Sequence, residues 1–151
     1  MLGVKEQEYG PSDDESPEKM ESLVNTYFDW EAKVVKYPTK KQIIAELDLG
    51  RPVVIPLDGR VMNQGQFSEP GPDYHVAVIV GYEVHSDTFV VHDPGSLNSG
   101  KNILYSADKL LGESFERLVE QKYLSEPQAL FTVLKQDQYA VPEQKLDSEN
   151  G

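Results

Sequence analysis

The stretch Tyr74-His-Val-Ala-Val-Ile-Val-Gly-Tyr-Glu-Val-His-Ser-Asp-Thr-Phe-Val-Val-His-Asp-Pro-Gly95 constrains the fold more than any other part of the chain. It is the longest apolar, β-branched run, and it reads as two strands joined by a tight turn near His85-Ser86-Asp87. Strands this apolar must be buried, so the rest of the domain is expected to cover them. His75 opens the first strand and Asp93 closes the second. A histidine and a carboxylate at the ends of neighbouring strands can form the acid/base half of a catalytic triad. The other half is a nucleophile, and the chain contains no cysteine.

The elements around this ribbon follow from periodicity and punctuation. Residues 1–16 are acidic and rich in Ser, Pro and Gly, and read as a disordered lead-in. Ser16-Pro17-Glu18 starts a helix whose apolar face is Met20, Leu23, Val24, Tyr27 and Phe28, ending near Trp30. Glu31 to Tyr37 is a short strand stopped by Pro38. Thr39 caps a second helix over Lys40–Asp48, with Ile43, Ile44 and Leu47 on one face and Gly50 just past its end. Val53 to Leu57 is a buried strand, and Pro56 implies interrupted pairing or an edge position. Asp58 to Asp73 holds three glycines and two prolines and reads as a long loop running into His75. Asn102 to Tyr105 makes a third strand after the ribbon. Ser106 caps a helix over Ala107–Lys122, which Gly112 weakens or breaks. Ala129 to Leu134 is a last strand. The working domain therefore spans residues 17–134, and residues 135–151 are a disordered polar tail. The fold class is α+β: a twisted, mainly antiparallel sheet with flanking helices.

Composition narrows the function. A net charge of −12, from 26 acids against 14 bases, disfavours nucleic acid and anionic membranes as partners. No window is long and apolar enough to span a membrane, and the first residues lack the basic and apolar regions of a signal peptide. The cytoplasm is the default location, and without cysteine the redox compartment is not legible. The three histidines lie ten and seven residues apart, a pattern that matches no familiar zinc site, so neither metal nor cofactor is expected. Asp73 and Glu83 read as solvated loop and turn residues. Ser68, Ser96 and Ser99 lie in loops without a nucleophile-elbow context. For His75 and Asp93 two readings stand: a paired base and orienting acid, or a strand opener and an Asx-type turn before Pro94-Gly95.

A resemblance bears on that choice. Leu49-Gly-Arg-Pro-Val-Val-Ile-Pro56, then Pro70-Gly-Pro-Asp-Tyr-His-Val-Ala-Val-Ile-Val-Gly-Tyr82, then Phe89-Val-Val-His-Asp-Pro-Gly95, then Tyr105-Ser resembles the C-terminal part of the bacterial peptidase C39-like family. These papain-fold cysteine peptidases are related to bacteriocin-processing enzymes. The motifs run from about Thr39 to Leu118. Their order is fairly specific, whereas each alone is weak. The resemblance implies a papain-like half-fold, with His75 as general base and Asp93 as the acid that orients it. It also implies a cysteine on an early helix and a nearby glutamine for the oxyanion, and neither carries over. The expectation is a peptidase-like domain without its cysteine-bearing segment, inactive or truncated, with the Asp58–Asp73 loop bordering a peptide groove. A non-catalytic peptide-binding module, and a fragment that needs a partner chain for the missing helix, are the alternatives.

Overall fold

The computed structural model of this chain describes residues 30–93 and 100–134. The acidic lead-in, the body of the helix expected from Pro17, the Pro94-Gly95 turn and the polar tail lie outside those residues. Within the described residues ten elements follow one another. They are β1 (Trp30–Lys36), α1 (Lys40–Asp48), β2 (Val53–Leu57), α2 (Gly59–Met62), β3 (His75–Glu83), β4 (Thr88–His92), β5 (Ile103–Ser106), α3 (Ala107–Leu111), α4 (Glu113–Glu120) and β6 (Gln128–Leu134). The strands make one sheet in the order β1-β6-β2-β3-β4-β5, and every neighbouring pair is antiparallel. This is the expected α+β architecture.

Local sequence accounts for most boundaries. Trp30 is the first residue of β1 rather than the end of a helix. Thr39 accepts a hydrogen bond from the Gln42 amide, and the Gln42 side chain reaches back to the Thr39 amide, a complete capping box for α1. Past the end of that helix Gly50 takes φ +77°, the left-handed conformation in which a Cβ is penalised. The helix expected over Ala107–Lys122 is two helices. At Gly112 the backbone turns so tightly that an added Cβ would lie 2.8 Å from the Asp108 carbonyl oxygen, so the break is built around a residue without one. Pro56 also finds its reason. β2 pairs with β6 only through Val53 and Val54, while its pairing with β3 continues to Leu57. The proline, which has no N–H, comes after β6 has left the strand.

The stretch after β2 departs from the expected loop. Its first turn is α2, because the Asp58 carboxylate accepts hydrogen bonds from the amides of Arg60 and Val61. Gly59, a poor helix former in general, stands at the first helical position and hides this capping signal in the sequence.

One face of the sheet carries the core. Val53, Ile55 and Leu57 of β2, Ala77 and Ile79 of β3, Phe89 and Val91 of β4 and Tyr105 of β5 cluster with Ile43, Leu110, Phe115 and Leu118 from the helices. Burying each large aliphatic side chain stabilises the fold by about 1.5–3 kcal/mol. Their strand neighbours Val54, Val78 and Val90 alternate to the other face and are half-buried.

The β3–β4 pairing contains one irregularity. From the turn inward, Glu83 faces Thr88, Tyr82 faces Phe89 and Gly81 faces Val90, but Ile79 then faces Val91. Val80 is therefore a bulge residue, unpaired and 38% exposed. The extra residue lets Tyr82 on one side and Ile79 on the other both face the core, although they lie an odd number of residues apart. Deleting Val80 would leave Ile79 and Tyr82 two positions apart, in the parity of a regular strand, so both should still face the core and the loss in urea denaturation should stay under about 3 kcal/mol. Val80→Ala, which keeps the residue count, should cost under about 1 kcal/mol. A loss above about 3 kcal/mol from the deletion would contradict this role for the bulge.

Candidate active site

His75 is the first residue of β3, and Asp93 directly follows β4. The register Val78–His92 places Asp93 beside Ala77, on the core face that His75 shares, and diagonal to His75. The imidazole Nε2 is hydrogen-bonded to Asp93 Oδ1. Asp93 is fully buried, and the His75 side chain keeps 18% of its surface. The structure therefore brings together the two residues singled out as base and orienting acid. The Asp93 amide donates to the Gly100 carbonyl at 2.6 Å, and the turn expected to start at Asp93 before Pro94-Gly95 lies outside the described residues.

Three further side chains close around the pair. The Tyr105 hydroxyl donates to Asp93 Oδ2 at 2.7 Å. Gln66 Nε2 donates to the Tyr105 oxygen at 2.8 Å. The Phe67 ring meets the His75 ring edge-on, with centroids 5.2 Å apart at 75°. Such an aromatic contact contributes about 0.5–1.5 kcal/mol and limits rotation of the imidazole. The sequence held a partial signal for Tyr105, since strand alternation turns it inward and a buried phenol needs a polar partner. Gln66 and Phe67 lie in a stretch without periodicity and gave none.

The loop that carries Gln66 and Phe67 is fastened at both ends. Asp58, fully buried, receives Gln121 Nε2 at 3.4 Å and has the Arg117 guanidinium 3.8 Å away. Its amide donates to Ser114 Oγ at 2.8 Å. Arg60 Nε bonds Asp73 Oδ1 at 2.9 Å, so Asp73, a solvated loop acid as expected with 49% of its side chain exposed, is an ion-pair partner as well. Next to it Tyr74 stacks on Tyr123 at 5.4 Å. Gly59 and Pro72 lie so close that a Cβ on Gly59 would sit 2.4 Å from the proline ring. These contacts fix where β3 begins and hence where His75 stands.

The remaining candidates are dispersed. His85 is in the exposed turn, its amide bonded to Glu83. His92 Nδ1 accepts from the Asn102 amide at 3.3 Å, on the sheet face away from Asp93. Ser68 is exposed, and Ser96 and Ser99 lie outside the described residues. Among the described residues no three His, Asp or Glu side chains converge as metal ligands would, and no helix is long and apolar enough to cross a membrane.

The geometry can be set beside known proteins. The model of the peptidase C39 like family matches residues 6–123, extending beyond the motifs at both ends. A crystal structure from Bacillus anthracis, provisionally described as that of a C39-like peptidase, superposes with a TM-score of 0.50 at 20% identity. The match covers 78% of this chain and 58% of that one, so this chain spans little more than half of the solved structure. That likeness shows a shared fold. No curated protein matches the chain.

The Tyr105 hydroxyl is held above the ordinary tyrosine value, first by burial and then by its hydrogen bond to Asp93. In the unfolded chain it ionises above pH about 10, while the folded protein keeps its proton. Unfolding then releases a proton, so this contribution to stability is complete below pH 10 and is lost as pH rises further. Denaturation midpoints measured from pH 8 to 11 should therefore decline, and less steeply in Tyr105→Phe. Tyr82, Tyr123 and Lys40 are raised too and sustain the decline that remains. In the same assay at pH 8, Gly59→Ala should cost about 1–3 kcal/mol, because the loop neck has no room for a methyl group.

Proposed function

From membership of the C39-like peptidase family, to which the chain belongs, we propose that it carries a peptide-handling domain that keeps the base and its orienting acid but supplies no attacking thiol. The observation that carries this reading is the His75–Asp93 hydrogen bond. A buried carboxylate on Nε2 fixes the imidazole and leaves Nδ1 as the nitrogen that would take a proton from a nucleophile. Nδ1 makes no hydrogen bond to the described residues. The arrangement suits a general base one step from acyl transfer.

In cysteine peptidases the attacking species is a thiolate, and a chain without cysteine provides none. Losing the nucleophile leaves only the effects of binding and orientation. The domain on its own is therefore a peptide binder, with the Asp58–Asp73 loop along one side of the groove. The intact base–acid pair favours a second reading as well. A thiol carried on a separate stretch of polypeptide, with its own helix, would approach Nδ1 and complete an amide-cleaving site.

A mixed pool of short peptides separates these readings. Added to the isotopically labelled chain, it should shift the amide signals of Gln66, Phe67 and His75, while mass spectrometry finds peptide cleavage no faster than in buffer. Unmoved signals would refute the peptide-handling role. Cleavage above the buffer rate that disappears in His75→Ala would refute inactivity. Cleavage that appears only when a cysteine-bearing helix peptide is supplied would establish the second reading.

A further inference from the structure

The hydrogen bonds around Asp93 run in one direction, and that direction can be fixed atom by atom. Gln66 Oε1 accepts the Gln64 amide at 2.7 Å, and Gln66 Nε2 donates to the Met62 carbonyl at 3.0 Å. Turning the amide over would set oxygen against oxygen at Met62 and N–H against N–H at Gln64, so its orientation is determined. Nε2 therefore donates to Tyr105 as well, and the phenol oxygen accepts. A phenol that accepts from Gln66 still has its own proton to give, and it points that proton at Asp93 Oδ2. An ionised carboxylate has no proton to return. Oδ1 is then left to take the His75 Nε2–H.

Tyr105 is fully buried and Gln66 is 5% exposed, so water does not compete for these positions. A buried carboxylate with one donor on one oxygen can rotate about its Cβ–Cγ bond. With a separate donor on each oxygen it is held in plane. We propose that Gln66 and Tyr105 are positioning residues: their one-way donor chain holds the Asp93 carboxylate against His75 Nε2, and so keeps the neutral imidazole in the Nε2–H tautomer with its lone pair on Nδ1. The inference deepens the peptide-handling reading and rests on it.

The chain also ties the base to the loop. Gln66 and its neighbour Phe67 sit between α2 and β3, and one reaches Asp93 through Tyr105 while the other touches the His75 ring. The segment that borders the groove thus meets both members of the pair by separate routes. A displacement of that segment releases the carboxylate and the ring together.

Long-range proton–nitrogen correlation spectra of the full chain read the tautomer directly. In the wild type, neutral His75 should carry its proton on Nε2. In Tyr105→Phe the Nδ1–H fraction should rise about threefold, the factor that one typical net hydrogen bond sustains. Gln66→Ala should move it the same way by a smaller factor. Phe115→Leu, a core change away from the pair, should lower stability without moving the tautomer. An unchanged tautomer in Tyr105→Phe overturns the proposal, and if that variant does not fold, Gln66→Ala decides alone by the same criterion. A wild-type His75 already on Nδ1–H breaks the His75–Asp93 pairing and with it the peptide-handling reading. A wild type on Nε2–H with both variants unmoved rejects only the positioning role.

Discussion

Side chains on a β-strand alternate between two faces, so residues on paired strands can meet only if their register agrees in parity. Counting regularly from Glu83–Thr88, the pairs would continue Val80–Val91, Ile79–His92 and Val78–Asp93. Asp93 would then share the face of Val78, and His75 would share the opposite one. The bulge at Val80 shifts the count by one, places Ala77 beside Asp93, and so puts the carboxylate on the side where His75 stands. One unpaired backbone residue, some distance from the site, decides whether the His75 imidazole has a carboxylate partner. The same shift returns both Tyr82 and Ile79 to the core, so the packing energy of the hydrophobic face enforces the geometry of the polar pair.

A second constraint follows from burial. A carboxylate at zero exposure is costly unless its oxygens are bonded, and Asp93 is served by an imidazole and a phenol from two different strands. β5 matters here less as a hydrogen-bonded edge than as the carrier of Tyr105. The helices after it fix that strand in turn. Ser106 caps α3, and the Ala107 amide bonds Asp87 in the turn of the ribbon. Lys40 bridges Asp87 and Asp108 at 3.0 and 3.2 Å, an exposed arrangement that adds little energy but marks where α1, the turn and α3 meet.

Much of this was legible in the residues. Thr39, Gly50, Ser106 and Gly112 each mark an element boundary through a local rule of capping or backbone freedom, and local rules survive the transfer from sequence to structure. The ribbon was legible because alternation and β-branching persist over many residues. His75 and Asp93 were legible as a pair only with the help of the family resemblance. Their shared face depends on a bulge, and nothing in Val-Ile-Val-Gly announces which residue will be skipped. Gln66, Phe67 and the Arg60–Asp73 pair were out of reach for a related reason. They lie in a segment held in part by contacts with residues far along the chain, from Gln66–Tyr105, 39 positions apart, to Asp58–Gln121, 63 apart, and such contacts leave no period in the sequence. α2 was missed more simply, because a glycine at a helix start looks like a loop glycine.

The segment between α2 and β3 is closed at its base, where Gly59 abuts Gly71 and Pro72 and the Arg60 guanidinium spans to Asp73. A closed base means that the distance its two strands must bridge does not depend on what lies above it. Gly65, Ser68 and Glu69 near the summit are exposed, and replacing their side chains leaves the closed base untouched so long as Gln66 and Phe67 keep their places. The architecture thus behaves as a socket for exchangeable tips. Side chains at those tips can vary while the imidazole beneath stays in place.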